Sequence, residues 1–140
     1  MNQQMNIVLL GAGGTGISSL GFLFKEIGIT NVICVDGAQS QITDALNAIG
    51  YEVIIGEENY EIKSSDFVIY SDALLKSPAL AQAKKMAEES TRKARYPMSY
   101  FQFLGEISKF FETIAIAGTH GKSTTTALAT YTLSQLDDKL

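Results

Sequence analysis

Six residues near the amino terminus, Gly11-Ala12-Gly13-Gly14-Thr15-Gly16, have the spacing G-x-G-x-x-G. Glycines so placed permit a tight turn and let diphosphate oxygens approach the backbone N–H groups at a helix start. Asp36 stands twenty positions beyond Gly16. A carboxylate there, at the end of the next strand, can accept hydrogen bonds from a nucleotide ribose or base. The pattern reads as a nucleotide-diphosphate turn and leaves NAD, FAD and UDP-sugars open. The plainer alternative is that the glycines serve only close helix–strand packing and Asp36 only caps its own turn.

A second group, Ala117-Gly118-Thr119-His120-Gly121-Lys122-Ser123-Thr124, lies near the other end of the chain. Gly121-Lys122-Ser123 has the form of the working end of a P-loop. In such loops backbone amides surround phosphates, a lysine reaches the β- and γ-phosphates, and a hydroxyl ligates magnesium. Lys122 is therefore the candidate cation for the phosphates and Ser123 the candidate metal ligand. The general pattern places a glycine at position 116, where this chain has Ile116. The competing reading is a glycine loop with a solvated lysine.

The elements that must hold these loops alternate strand and helix. Asn6 to Leu10 is a short apolar run followed at once by glycines, the signature of a parallel strand covered on both faces. From Ile17 the apolar residues Leu20, Leu23, Phe24 and Ile27 recur at helical spacing and Gly28 closes the run. Asn31 to Val35 is a second strand. Ser40 caps a second helix carrying Ile42, Ala45, Leu46 and Ile49, which Gly50 ends. Strands follow at Glu52 to Ile55 and Asp66 to Tyr70. Ser77-Pro78 starts a helix expected to run to about Arg92, because serine caps free amides and proline suits the first turn. Arg95 to Met98 is expected as a short fifth strand at a sheet edge, since Pro97 lacks a ladder donor, and Phe101, Leu104 and Ile107 mark another helix. This order predicts a doubly wound parallel sheet of α/β class, with the ligand crevice beside the first strand where the strand order reverses. Near Glu112 a new pattern begins: strand Thr113 to Ala117, glycine loop, helix.

A chain of 140 residues, 46% apolar, can bury one ordinary core. Its net charge of -4, without a basic stripe, argues against nucleic-acid and membrane-surface partners. Cys34, the one cysteine, has no internal disulfide partner and is expected to be an inert packing residue. The first residues lack a basic region followed by an apolar core, and no apolar run is long enough to span a bilayer, so the cytoplasm is the expected compartment. Lys84-Lys85 to Arg95 reads as a solvated face. Tyr100, Phe101, Phe103, Phe110 and Phe111 read as core and interdomain packing rather than a stacking platform.

The run Gly118-Thr119-His120-Gly121-Lys122-Ser123-Thr124-Thr125-Thr126 resembles the ATP loop of the Mur ligases, a family that shifts the first glycine and so accounts for Ile116. His120 is similar to the alanine-adding branch and to the related murein-peptide recycling ligase. Gly11 to Gly16 resembles the family's UDP-binding turn. Val68-Ile69-Tyr70-Ser71-Asp72-Ala73 with Ser77-Pro78 resembles its fourth-strand segment and the following asparagine–proline motif, with Ser77 in place of asparagine. The resemblance covers essentially the whole chain.

It implies a Rossmann-like UDP-sugar-binding domain over residues 1–111, then the first strand, P-loop and helix of a truncated ATP-binding domain over 112–140. Gly11, Ala12, Gly13, Gly14, Thr15, Gly16, Asp36 and Ser71 would hold the UDP. The implied substrates are UDP-N-acetylmuramate, L-alanine and ATP, with Mg2+. ATP would phosphorylate the muramoyl carboxylate, and the amine would displace phosphate from the resulting acyl phosphate. Phosphorylation removes the carboxylate's repelling charge and supplies a leaving group, while Lys122 and magnesium stabilise charge on the transferring group. In the family other domains complete the ATP and amino-acid sites, so residues 112–140 alone are expected to be disordered or buried against another copy or the chain's own surface. An NAD-binding oxidoreductase or sensor domain, and a non-catalytic binding module, remain as readings from other classes.

Overall fold

In the computed structural model, residues 5–89 and 96–137 are described. The chain divides into two compact units, Met1–Glu106 and Ile107–Leu140.

The first unit is built on five parallel strands, β1 (Ile7–Leu10), β2 (Val32–Asp36), β3 (Glu52–Ile55), β4 (Phe67–Tyr70) and β5 (Met98–Ser99), in the order β3-β2-β1-β4-β5. Between them run the helices α1 (Thr15–Glu26), α2 (Gln41–Ala48) and α3 (Pro78–Glu89), and α4 (Tyr100–Ile107) follows β5. This is a Rossmann-like α/β arrangement. The central strands are apolar, save for Asp36 at the end of β2, because both faces are covered. Val8, Leu10, Ile33, Val35, Val68 and Tyr70 pack with Ala79, Leu80 and Ala83 of α3. Ile17, Leu20 and Phe24 supply the buried stripe of α1, and Phe103 of α4 meets Phe24 edge to face at 5.6 Å.

Local chemistry sets the element ends. Ser40 and Thr43 form a reciprocal capping box at the start of α2. Gly28 and Gly50, at φ +81° and +96°, follow α1 and α2 in the left-handed region that ends helices. The fifth strand is Met98–Ser99 rather than Arg95 to Met98. Pro97 has no N–H for the ladder, so pairing with β4 begins at Met98, opposite Ile69. Residues 90–95, including Arg95 and the expected extension of α3 to Arg92, lie outside the described residues.

The second unit holds one long helix, α5 (Lys122–Asp137). The expected strand Thr113 to Ala117 does not form: no described strand pairs with it, and a strand needs a neighbour for its N–H and C=O groups. A helix satisfies those groups within itself, so α5 is regular without a neighbour. Within this unit Ile114, Leu128, Leu133 and Leu136 are exposed and Ile116 is half-buried.

Candidate functional site

The glycine turn leaves β1 at its carboxyl end, at the point where the strand order reverses between β1 and β4. Gly11 adopts φ +82°, a conformation L side chains avoid. Its N–H and that of Ala12 donate to the Val35 carbonyl at 2.8 and 3.1 Å, tying the turn to β2. Gly13 N–H donates to Asp36 Oδ2 at 2.7 Å, and Ala38 N–H donates to Asp36 Oδ1 at 3.1 Å. Asp36 therefore joins the turn to the loop after β2 and caps that loop. Its spacing marked it as a ligand contact, whereas its visible bonds hold the turn. A Cβ on Gly13 would lie 3.0 Å from Asp36 Oδ2, too close without displacing the carboxylate.

The turn leads into an open helix end. Gly14 is the N-cap of α1, no side chain caps the helix, and its first turn contains no acid. The first bond in the helical register is Ser18 N–H to the Gly14 carbonyl at 2.9 Å. The preceding amides of Thr15, Gly16 and Ile17 are the orphan donors of the helix start, where the peptide dipoles favour negative charge. The other two crossover helices differ. The α2 start is capped by Ser40 and has Asp44 in its first turn. At α3, Ser77 Oγ accepts from Leu80 N–H at 3.3 Å and donates to the Glu57 carboxylate, which places a negative group there already.

A cavity of about 470 Å³ opens on the α1 start, lined by Gly14, Thr15, Gly16, Ile17, Ser71, Asp72, Tyr100 and Phe101. Ser71 ends β4, its N–H bonded to the Leu10 carbonyl at 3.0 Å, and its Cβ is 3.0 Å from where a Gly11 Cβ would stand. The structure thus brings the glycine turn and Ser71 to one crevice, with Asp36 behind it. Asp72, Tyr100 and Phe101 were not singled out as site residues from the sequence. Of the five aromatics read as packing, Phe103 is half-buried and packs on Phe24 of the core, but Tyr100 and Phe101 line this cavity and Phe110 and Phe111 are exposed. Helical rotation sends Phe101 and Phe103 in different directions, which their common hydrophobicity conceals.

A cavity of about 530 Å³ lies beyond β2 and β3, lined in part by Gly37, Gly56, Glu57, Glu58, Glu61 and Pro78. Three carboxylates make it the poorer seat for a diphosphate, although it is the larger. Cys34 is fully buried, and burial pushes its thiol up to about 12, so it is protonated and unreactive at neutral pH.

In the second unit Gly118, Thr119, His120 and Gly121 form an exposed loop ending at the start of α5. Gly121 has φ +76°, which requires glycine. Lys122 Nζ donates to the Gly118 carbonyl at 2.7 Å and to the Thr119 carbonyl at 3.4 Å, folding the ammonium back onto the loop. Ser123 and Thr124 occupy the first turn of α5, which begins with Thr125 N–H bonded to the Gly121 carbonyl at 2.9 Å.

No protein-family model matches the chain. It is 35% identical over 139 residues to the UDP-N-acetylmuramate--L-alanine ligase of Francisella tularensis subsp. holarctica, a match covering 98% of this chain and 29% of that protein. The enzyme of the same name from Francisella tularensis subsp. novicida matches to the same extent. That of Francisella philomiragia is 32% identical over 136 residues, 96% of this chain and 28% of its own length. The chain spans less than a third of the length of these curated relatives. Among the described residues no helix is long and apolar enough to cross a membrane.

Proposed function

Because curated homologues of this chain are UDP-N-acetylmuramate--L-alanine ligases, matched over their amino-terminal portion, we propose that it is the UDP-sugar-binding part of a peptidoglycan-precursor ligase with the beginning of its ATP loop. The observation that carries the reading is the uncapped, acid-free start of α1 behind Gly11 to Gly16, opening on the switch-point cavity. There the diphosphate of UDP-N-acetylmuramate would accept hydrogen bonds from the α1 amides, with Asp36 fixing the turn through Gly13 and Ser71 on the opposite side.

The second loop fits a nucleotide triphosphate in its donor set: loop amides, a helix start at Lys122, and an ammonium already folded over the loop. Lys122 would neutralise charge on the phosphates, and Gly118 to Thr124 would hold ATP. Among the described residues no group of three or more His, Cys, Asp or Glu could hold a metal. The Ser123 hydroxyl is this chain's offered ligand for magnesium, which when bound screens the phosphoryl charge during transfer. In the intact ligase this transfer would activate the muramoyl carboxylate for attack by L-alanine.

Hydrogen exchange tests the placement. Addition of UDP-N-acetylmuramate is expected to slow exchange at the amides of Gly14 to Ile17 and to leave Gly118 to Thr124 unchanged. Protection confined to any other part of the first unit would refute the assignment.

A further inference from the structure

The cavity at the α1 start is lined by groups of two kinds: the backbone of the helix start, and the side chains of Asp72, Tyr100 and Phe101. Tyr100 packs directly on the turn, since a Cβ on Gly16 would lie 3.2 Å from its Cε1 and Cζ atoms. Its ring meets that of Phe101 at 68°, with centroids 5.1 Å apart. Phe101 is 67% exposed, while Phe103, two residues on, is half-buried against Phe24 and Phe67. The first turn of α4 therefore directs two aromatic rings towards the cavity rather than the interior.

Charge fixes where the diphosphate of a sugar nucleotide lies in this space. A diphosphate is attracted to the α1 amides and repelled by the Asp72 carboxylate. One neutral end of the ligand, the uridine or the hexose, is then left to Asp72 and the rings. Aromatic faces carry negative potential and attract the polarised C–H groups of a sugar ring, and a carboxylate accepts hydrogen bonds from sugar hydroxyls. We propose that Tyr100 and Phe101 form the wall that discriminates a UDP-sugar from UDP alone, with Tyr100 setting the depth of the turn and Phe101 covering the hexose. The inference rests on the reading that this cavity takes a UDP-sugar.

Calorimetric titration of the chain with UDP and, separately, UDP-N-acetylmuramate tests it. Wild type is expected to bind the sugar nucleotide more tightly than UDP. Phe101→Ala should shrink that preference by roughly three- to tenfold, the range of an aromatic contact, with UDP affinity unchanged. Phe101→Tyr should restore the preference. Phe101 is exposed, so its truncation leaves the core intact. An unchanged ratio in Phe101→Ala, an equal loss for both ligands, or a wild type without preference would overturn the inference and leave the diphosphate site standing. Failure of wild type to bind UDP at all would remove the site itself, and this inference with it.

Discussion

Gly13 is where the turn has least room, because its N–H is 2.7 Å from Asp36 Oδ2 and an added Cβ would stand 3.0 Å from the same oxygen. Gly13→Val should weaken UDP-N-acetylmuramate binding at least about tenfold, the equivalent of roughly 1.4 kcal/mol; calorimetry that finds equal affinity would refute the placement. The glycine spacing and Asp36 were legible in sequence because a tight strand-to-helix turn limits residue types. What Asp36 bonds to was not legible, since spacing carries no information about which lone pairs a neighbouring amide takes. Tyr100 and Phe101 read as packing for a similar reason: hydrophobicity does not tell a cavity wall from a core. Cys34 and Tyr60 are both shifted upwards, chiefly by burial, and Tyr60 also donates to Asp66. The unfolded chain loses these protons at lower pH than the folded chain, so the folded state binds more protons above pH ~9 and stability falls as pH rises. The urea midpoint should decline from pH 8 to pH 11, and Cys34→Ala should flatten part of that decline.

At the scale of elements, periodicity located the helices and strands of the first unit, and punctuation by Ser40, Gly28, Gly50 and Ser77-Pro78 located their ends to within a few residues. These signals are local, and so they survive in a single sequence. Ser40→Ala, which removes the cap on Thr43 N–H, should cost about 1 kcal/mol in denaturant unfolding. A Cβ on Gly21 would lie 2.8 Å from Leu46 Cδ2, and Leu46 is fully buried. Gly21→Val should therefore destabilise by about 1–3 kcal/mol through overpacking between α1 and α2. The strand expected at Thr113 to Ala117 shows the limit of local reading. Its apolar pattern is that of a strand, but a strand is completed by its neighbours, and none pairs with it among the described residues.

For the whole molecule, the two glycine loops lie in two separate compact units, and the proposed function gives them different ligands. In the intact ligase Lys122→Ala should abolish most ATP-dependent activity while leaving UDP-sugar affinity nearly unchanged; a comparable loss of UDP-sugar affinity would contradict the division of labour. The 140-residue chain alone should show no strong Mg-ATP-dependent protection of Gly118 to Thr124 in hydrogen exchange. Fold class and the position of the crevice followed from the strand–helix order and the glycine turn. Ligand identity did not, because any nucleotide diphosphate satisfies those constraints; the likeness to UDP-N-acetylmuramate--L-alanine ligases is what favours a UDP-sugar. The most direct test is therefore a paired calorimetric titration of the chain with UDP-N-acetylmuramate and with NADH. Saturable binding of the sugar nucleotide, competed by UDP and absent for NADH, is the expected result. Saturable NADH binding without UDP-sugar binding would contradict the account.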